Sequence, residues 1–215
     1  MTRNKLGIRY GILGAGVLLN GFGVAFITKA ELGITPIASI PYTLSLIFPQ
    51  FTLGNVTCLI NLLLTALQAF LLGKERHWPD ILLQVPVSFL FGYVIDFSML
   101  LLQGFEPVHY IMKMFSMLLG CVIIAVGAYF EVTADVCMLP ADGFAGAIAK
   151  RLRKPFGSVK MITDTSQAVI ALLLGLAVLH QLAGVREGTV IGGILIGNLV
   201  KGIGRILRLD HRLGL

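Results

Sequence analysis

The sequence predicts an all-α membrane protein with about six transmembrane helices in two inverted three-helix repeats, each repeat carrying one short interfacial or re-entrant helix. The 215 residues are 56% hydrophobic and only 13% charged, and the mean hydropathy is +0.88. Globular domains are usually about one quarter charged, so this chain has too few charges to cover a soluble core. Apolar runs of about twenty residues, and an internal repeat, complete the prediction.

Six apolar runs are long enough to cross a hydrocarbon core about 30 Å thick. They are residues 8–28, 53–73, 81–102, 108–130, 157–183 and 188–204. Two further helical segments, residues 36–48 and 140–152, begin with proline, which is favoured at the first position of a helix. At about 1.5 Å per residue they reach only about 20 Å, so we expect them not to span.

The basic residues indicate the orientation, because short loops rich in Lys and Arg stay in the cytoplasm. With six spans and a cytoplasmic N-terminus, the basic residues on the cytoplasmic side are Lys74, Arg76, Lys150, Arg151, Arg153, Lys154, Arg205, Arg208 and Arg212. If the two short segments also spanned, Lys74 and Arg76 would move outside. The charges therefore favour six spans with both termini cytoplasmic.

An internal repeat divides the single membrane domain into residues 1–107 and 108–215. An ungapped match pairs residues 23–36 with residues 127–140. The agreeing positions are Gly23, Phe26, Ala30, Glu31 and Pro36 in the first half and Gly127, Phe130, Ala134, Asp135 and Pro140 in the second. Three spans per half is an odd number, so the halves must cross the membrane in opposite senses. Inverted repeats recur in secondary transporters, where rocking of one half exposes a central site alternately to each side.

Four blocks of sequence resemble a known family. They are residues 29–36, 84–96, 156–164 and 184–189. In this order, and over nearly the whole chain, they resemble the YitT/YczE family of bacterial integral membrane proteins. The resemblance implies a multi-pass protein of the bacterial inner (cytoplasmic) membrane and no particular substrate.

Polar side chains at membrane depth are the candidates for a substrate site, because a charge inside the bilayer costs at least about 2.5 kcal/mol. Lys160 and Asp164 lie four positions apart on one helical face, so they can pair. The substrate-binding candidates are Lys160, Asp164, Asn61, Asn20, Gln167, Arg186 and Glu187. The alternatives are a structural ion pair for Lys160 and Asp164, and an interfacial anchor for Arg186 and Glu187.

Charged residues near the ends of the spans are candidates for gates. Glu31 and Asp96 fall toward the outside, whereas Glu131, Asp135 and Lys201 fall toward the inside. The predicted gating residues are Glu31, Asp96, Asp135 and Lys201, which would form charge pairs that open and close each face. The alternative for a lysine at a helix end is snorkelling to the headgroups.

The starts of the two short helices form another candidate site. Helix N-termini carry free N–H groups and a partial positive charge. An anion is therefore predicted near Pro36 and near Pro140.

Several function classes are disfavoured by the sequence. The net charge of +6 is not gathered into a basic face with interleaved aromatics, which argues against nucleic acid as a partner. Cys58, Cys121 and Cys137 are too scattered for a metal site or a disulfide framework. No nucleotide-binding loop or catalytic triad motif is present, so we expect neither an enzyme nor a cofactor.

The leading hypothesis is a permease or exporter that moves a small polar solute by alternating access. The alternative is a non-catalytic substrate-binding or regulatory membrane subunit that needs a partner. The expected partners are the lipid bilayer and an unknown small-molecule substrate. Glycine pairs such as Gly188 and Gly192 suit either close helix packing within the chain or a homodimer.

Overall fold

The computed structural model describes residues 3–182 and 184–207, and its regular elements are helices. The α-helices of this part of the chain are α1 (Arg3–Ala30), α2 (Ser39–Ile47), α3 (Leu53–Leu72), α4 (Trp78–Leu101), α5 (Tyr110–Ala134), α6 (Pro140–Leu152), α7 (Phe156–Leu174) and α8 (Glu187–Leu207). Within the described residues, six of them, α1, α3, α4, α5, α7 and α8, are long and apolar enough to cross a membrane. The predicted all-α class with six spans is confirmed.

The helix bounds differ little from those predicted. The segment from Pro36 is a 3₁₀ turn, Pro36–Ala38, that leads into α2. The segment from Pro140 is α6, with the predicted bounds. The fifth span continues beyond α7 through a π-helical turn, Gly175–Leu179. Ala183, predicted to end that span, and the basic residues Arg208 and Arg212 lie outside the described residues.

The centre of the molecule is the crossing of α1 and α5, the most extensively packed helix pair of the described chain. A Cβ atom on Gly16 would lie 2.8 Å from the carbonyl oxygen of Gly127, and one on Gly127 would lie 2.8 Å from the carbonyl oxygen of Gly16. Gly23 and Gly120 are related in the same way, at 3.0 and 3.1 Å. Glycine at these positions lets the two backbones touch, and the pairing shows that the helices run antiparallel.

The other helices surround this pair. Helix α4 packs on α1 and on α3, and α8 packs on α5. The two short helices lie between α3 and α7, because α2 and α6 each contact both of them. The short helices therefore join the outer spans of the bundle at its two ends.

Two ion pairs connect the ends of the central helices. Arg9 of α1 pairs with Asp135, just after α5, with 3.4 Å between Nη1 and Oδ2, and Lys113 of α5 pairs with Glu31, just after α1, with 2.5 Å between Nζ and Oε2. Arg9 and Lys113 are separated by the same number of positions as Glu31 and Asp135. Both acids have left-handed backbone, with φ of 55° and 47°, a conformation that commonly ends helices.

The glycine crossing predicts a difference between two conservative substitutions. Gly127→Ala places a methyl group against the backbone of α1, whereas Gly14→Ala, also in a spanning helix, meets nothing within 4 Å. Because overpacking typically costs about 1–3 kcal/mol, we expect Gly127→Ala to lower the thermal unfolding temperature in detergent. Gly14→Ala should leave that temperature unchanged or raise it, and equal effects of the two substitutions would contradict the crossing.

Candidate functional site

A cavity of about 620 Å³ lies beside α6; we call it the α6 cavity. Its walls come from the end of α3, the start of α4, the end of α5, and α6 with the turn that precedes it. Glu75, His77, Asp80 and Lys150 at its mouth are exposed. The volume falls in the range of about 300–1,000 Å³ that is usual for small-molecule sites.

The mouth carries paired charges. Lys150 Nζ lies 3.0 Å from Glu75 Oε2, which joins α6 to the turn after α3. His77 Nδ1 lies 3.0 Å from Asp80 Oδ1. All four side chains are more than half exposed, so water screens these pairs and they hold the mouth together only weakly.

Two buried glutamines line the wall beneath α6. Gln84 of α4 is 1% exposed, and its Oε1 accepts a hydrogen bond of 3.2 Å from Thr65 Oγ1. Gln68 of α3 is 7% exposed, and its Oε1 has no hydrogen-bond partner among the described residues. A Cβ atom on Gly143 would lie 2.7 Å from Gln84 Nε2. The bare backbone of Gly143 therefore lets α6 lie directly over the two amides.

Glu131 of α5 forms the deepest acidic part of the cavity wall. Its side chain lies beside the amide of Asn20 in α1, and the residue is only 9% exposed. Its Oε1 atom has no hydrogen-bond partner in the described chain. A Cβ atom on Gly16 would lie 2.7 Å from Glu131 Cγ, so the glycine of the α1–α5 crossing also makes room for this carboxylate.

Lys160 joins two acids near the cavity. Its Nζ donates a hydrogen bond to Asp142 Oδ1 and lies 3.3 Å from Asp164 Oδ2. The three side chains are about one quarter to one third exposed. The pair of Lys160 and Asp164 was predicted from their spacing, whereas Asp142 was not. Asp142 lines the α6 cavity and so connects this charged cluster with it.

Cys137 lies in the cavity wall in the turn between α5 and α6. Burial, followed by the charges of Glu131 and Asp80, raises the pKa of its thiol to about 11. The thiol is therefore protonated near neutral pH, and a protonated thiol is a poor nucleophile and a poor metal ligand. Among the described residues, no three His, Cys, Asp or Glu side chains come together as a metal site.

A smaller pocket of about 260 Å³ lies at the opposite end of the bundle, beside α2; we call it the α2 pocket. Arg186, which lines it, donates from Nη1 to the carbonyl oxygen of Glu31 at 3.1 Å. Burial, and then the charge of Glu31, raises the pKa of Tyr42 in the wall. The Gly188 amide donates to the Leu32 carbonyl oxygen at 2.7 Å, so the start of α8 is tied to the end of α1.

The two spaces are built from matching positions of the two halves. Residues of the α2 pocket and the α6 cavity are separated by the same number of positions as Glu31 and Asp135. The matching pairs are Ile27 and Glu131, Thr28 and Val132, Glu31 and Asp135, Gly33 and Cys137, Ile34 and Met138, Tyr42 and Gly146, and Leu46 and Lys150. The spaces correspond in position but differ more than twofold in volume.

The other predicted binding residues lie outside the α6 cavity. Asn61 and Gln167 are buried on α3 and α7, and neither lines the α2 pocket or the α6 cavity. Arg186 and Glu187 lie at the α2 end, with 3.6 Å between Arg186 Nε and Glu187 Oε2. Arg186 and Glu187 were predicted as an entrance site or an interfacial anchor, and a central polar site formed by Lys160, Asp164, Asn61, Asn20 and Gln167 stays a prediction.

The predicted gating residues have several different roles. Glu31 and Asp135 form the two ion pairs at the ends of the central helices. Asp96 instead accepts hydrogen bonds from Thr52 Oγ1 at 2.6 Å and from the Gly54 amide at 2.8 Å, and so holds the start of α3. Lys201 is exposed on α8.

The start of α6 is a poor place for the predicted anion. Asp142 lies in the first turn of α6 and lines the cavity, and Glu131 lines it too. The two carboxylates oppose an anion in the same space. The prediction of an anion near Pro140 thus conflicts with the charges around it.

Comparison with known protein families adds one result. Residues 7–205 match a family of unknown function, DUF6198. The chain belongs to DUF6198. No curated protein and no solved structure matches it. With its six apolar helices, this DUF6198 chain is a multi-pass membrane protein.

The Lys160 cluster predicts unequal effects of removing its members. Asp164→Asn leaves Lys160 paired with Asp142, whereas Lys160→Met leaves two carboxylates without their cation. Removing one partner of a buried pair costs about 3–5 kcal/mol, and partial exposure reduces this, so we expect Lys160→Met to cost on the order of 2 kcal/mol. Asp164→Asn should cost clearly less.

Thermal unfolding of the two variants in detergent makes this comparison. Restoration of stability by Asp164→Asn in the Lys160→Met background would confirm that the excess negative charge causes the loss. Equal losses in the two single variants would show that the cluster does not depend on its charge balance.

Proposed function

We propose that this DUF6198 protein is a permease that carries a small polar solute across the bacterial inner membrane by alternating access, without catalysing a reaction. The observation that carries the proposal is the pair of spaces at matching positions of the two halves, one large and one small. A transporter caught with one side open has this arrangement, since opening one face contracts the equivalent space at the other.

The relation between the two halves supports inverted repeats. Gly16 contacts Gly127 as Gly120 contacts Gly23, and the ion pair of Arg9 with Asp135 corresponds to that of Lys113 with Glu31. Exchanging the halves converts each contact into its counterpart. A two-fold axis in the membrane plane, passing through the α1–α5 crossing, accounts for both sets of contacts.

The contacts at the α2 end support a closed face there. Lys113 lies 2.5 Å from Glu31, whereas Arg9 lies 3.4 Å from Asp135 at the other end. Arg186 adds a bond to the Glu31 carbonyl oxygen. The central ion pair is thus shorter at the α2 end than at the α6 end, in agreement with the smaller volume of the α2 pocket.

The resemblance to YitT/YczE proteins supports a bacterial inner-membrane location. It rests on residues 29–36, 84–96, 156–164 and 184–189. These four blocks cover less of the chain than the DUF6198 match, which spans residues 7–205. The basic residues Lys74, Arg76, Lys150 and Arg151 all stand at the α6 end. By the positive-inside rule we assign that end to the cytoplasm, so the α6 cavity faces inward.

This orientation predicts the location of two loops. A reporter fused after Gly73, between α3 and α4, should be cytoplasmic, and one fused after Gln103, between α4 and α5, should be external. The measurement compares the activities of two reporters at each fusion site, one active only in the cytoplasm and the other active only outside it. An external reporter at Gly73 would reverse the assigned orientation.

Alternating access predicts opposite changes at two matching positions. Tyr42 lines the α2 pocket and Gly146 the α6 cavity. In a chain whose three native cysteines are replaced by alanine, Lys113→Gln should weaken closure at the α2 end. We expect it to speed maleimide labelling of Tyr42→Cys and to slow labelling of Gly146→Cys. Molecules that shift to the state open at the α2 end are lost from the state open at the α6 end.

Arg9→Gln is the matched control, because it removes the equivalent cation at the other end. It should not increase labelling of Tyr42→Cys. Labelling that changes in the same direction at both positions, or at neither, would contradict alternating access. That result would favour the alternative, a binding subunit that needs a partner to move its solute.

A further inference from the structure

We propose that the α6 cavity binds an organic cation, a molecule that carries an ammonium or guanidinium group on an apolar body. This inference rests on the proposed function in taking that cation as the transported solute. Binding itself does not depend on transport, so the two can be tested separately.

The charges around the cavity do not balance. Glu131, Asp142 and Asp164 place three carboxylates in or next to the α6 cavity, and Lys160 supplies a single ammonium to two of them. Glu131 has no ion pair among the described residues; its contact is with the neutral amide of Asn20. Because an uncompensated charge is costly at membrane depth, a buried acid without a cation is most stable in its neutral, protonated form. A cationic ligand beside Glu131 can take the place of that proton.

The unpaired polar atoms of the wall are acceptors. Glu131 is 9% exposed and Gln68 is 7% exposed, and Oε1 of each has no hydrogen-bond partner within the described chain. A buried acceptor without a donor costs about 1–3 kcal/mol. Both side chains line the α6 cavity, while the two unpaired oxygens are themselves covered. A ligand that donates several hydrogen bonds satisfies them once these side chains turn toward it. Ammonium and guanidinium groups are donors without acceptor atoms.

The remaining wall is suited to an organic molecule. Leu72, Ile81, Val132 and Leu139 contribute apolar surface, and Phe156 contributes an aromatic ring. Apolar surface favours a hydrocarbon body, and an aromatic ring attracts a cation over its face. A metal ion would need several ligands around one point, and the described His, Cys, Asp and Glu residues do not supply three.

The mouth carries charges of both signs, so the preference for a cation comes from the interior of the cavity. Glu75, His77, Asp80 and Lys150 surround it, with two acids and one permanently charged base. Deeper in, Asp142 adds negative potential at Glu131. A cleft lined by one sign of charge concentrates ligands of the opposite sign, so the acids of the interior, rather than the mixed charges of the mouth, favour a cation over an anion.

Binding can be measured on the purified full-length chain in detergent. The probes are butylammonium and butylguanidinium, with butyrate and butanol as anionic and neutral controls of similar size. A ligand that binds only the folded state raises the unfolding temperature with its concentration. We expect the two cations to do so, and butyrate and butanol to have little effect.

Glu131→Gln keeps the shape of the side chain and removes its charge. We expect it to weaken butylammonium binding by at least about tenfold, which is about 1.4 kcal/mol. Glu106→Gln is the matched control, because Glu106 is an exposed acid outside both spaces. It should leave the affinity unchanged.

A second measurement needs no change at Glu131. With Cys58 and Cys121 replaced by alanine, Cys137 in the cavity wall is the remaining cysteine. Aminoethyl methanethiosulfonate is cationic and sulfonatoethyl methanethiosulfonate is anionic. The rate with the cationic reagent divided by the rate with the anionic reagent should be at least about tenfold higher at Cys137 than at a free thiol in solution.

The outcomes separate the cation site from the permease. Stabilisation by butyrate or butanol equal to that by the cations, or a preference of Cys137 for the anionic reagent, would overturn the cation site. The permease would survive that result if Tyr42→Cys and Gly146→Cys still change in opposite directions. If cation binding requires Glu131 but the labelling of Tyr42→Cys and Gly146→Cys does not change in opposite directions, the cation site is supported and the permease is contradicted. If Glu131→Gln does not fold, the reagent preference of Cys137 decides.

Discussion

Direct contact between the backbones of α1 and α5 sets the arrangement of the rest of the molecule. Gly16 against Gly127 and Gly23 against Gly120 fix both the separation and the antiparallel direction of the two helices. Once they are fixed, Arg9 reaches Asp135 and Lys113 reaches Glu31 at the two ends. In a bilayer, where the solvent supplies little force to drive helices together, such close packing is a main source of association. The spaces beside α2 and α6 form where the chain leaves this pair.

The sequence predicts what depends on local pattern and misses what depends on distant contact. Hydrophobic length predicts the six spans, and proline at positions 36 and 140 predicts the starts of the short segments. A spacing of four residues predicts the pairing of Lys160 with Asp164. Asp142 completes that cluster from another helix, across the packing of α6 on α7. The residue pattern of one helix does not show which side chain of a neighbouring helix will contact it.

Depth counted along a helix is also a poor guide to burial near a helix end. Glu131 lies one turn before the end of α5, and its position suggests an interfacial charge. The structure buries it instead, because Gly16 leaves room beneath it and Asn20 of α1 lies beside it. Gln68 and Gln84 are similarly buried because Gly143 lets α6 cover them. In each case a glycine on one helix decides the environment of a polar side chain on another.

The difference between the halves is as informative as their likeness. The position that matches Glu131 in the first half is Ile27, which lines the α2 pocket. Glu31 and Asp135 place one ion-paired carboxylate beside each space, and an exact repeat would add a buried acid without an ion pair to both. With Glu131 on one side only, a cation carried by the proposed alternating access would meet the same group from either face. Because Glu131 lies beside Asn20 at the α1–α5 crossing, a ligand at this acid contacts the central helix pair, about which the proposed alternating access would take place. A ligand shifts a two-state equilibrium only by its different affinity for the two states, and in the proposed permease the position of Glu131 would supply that difference.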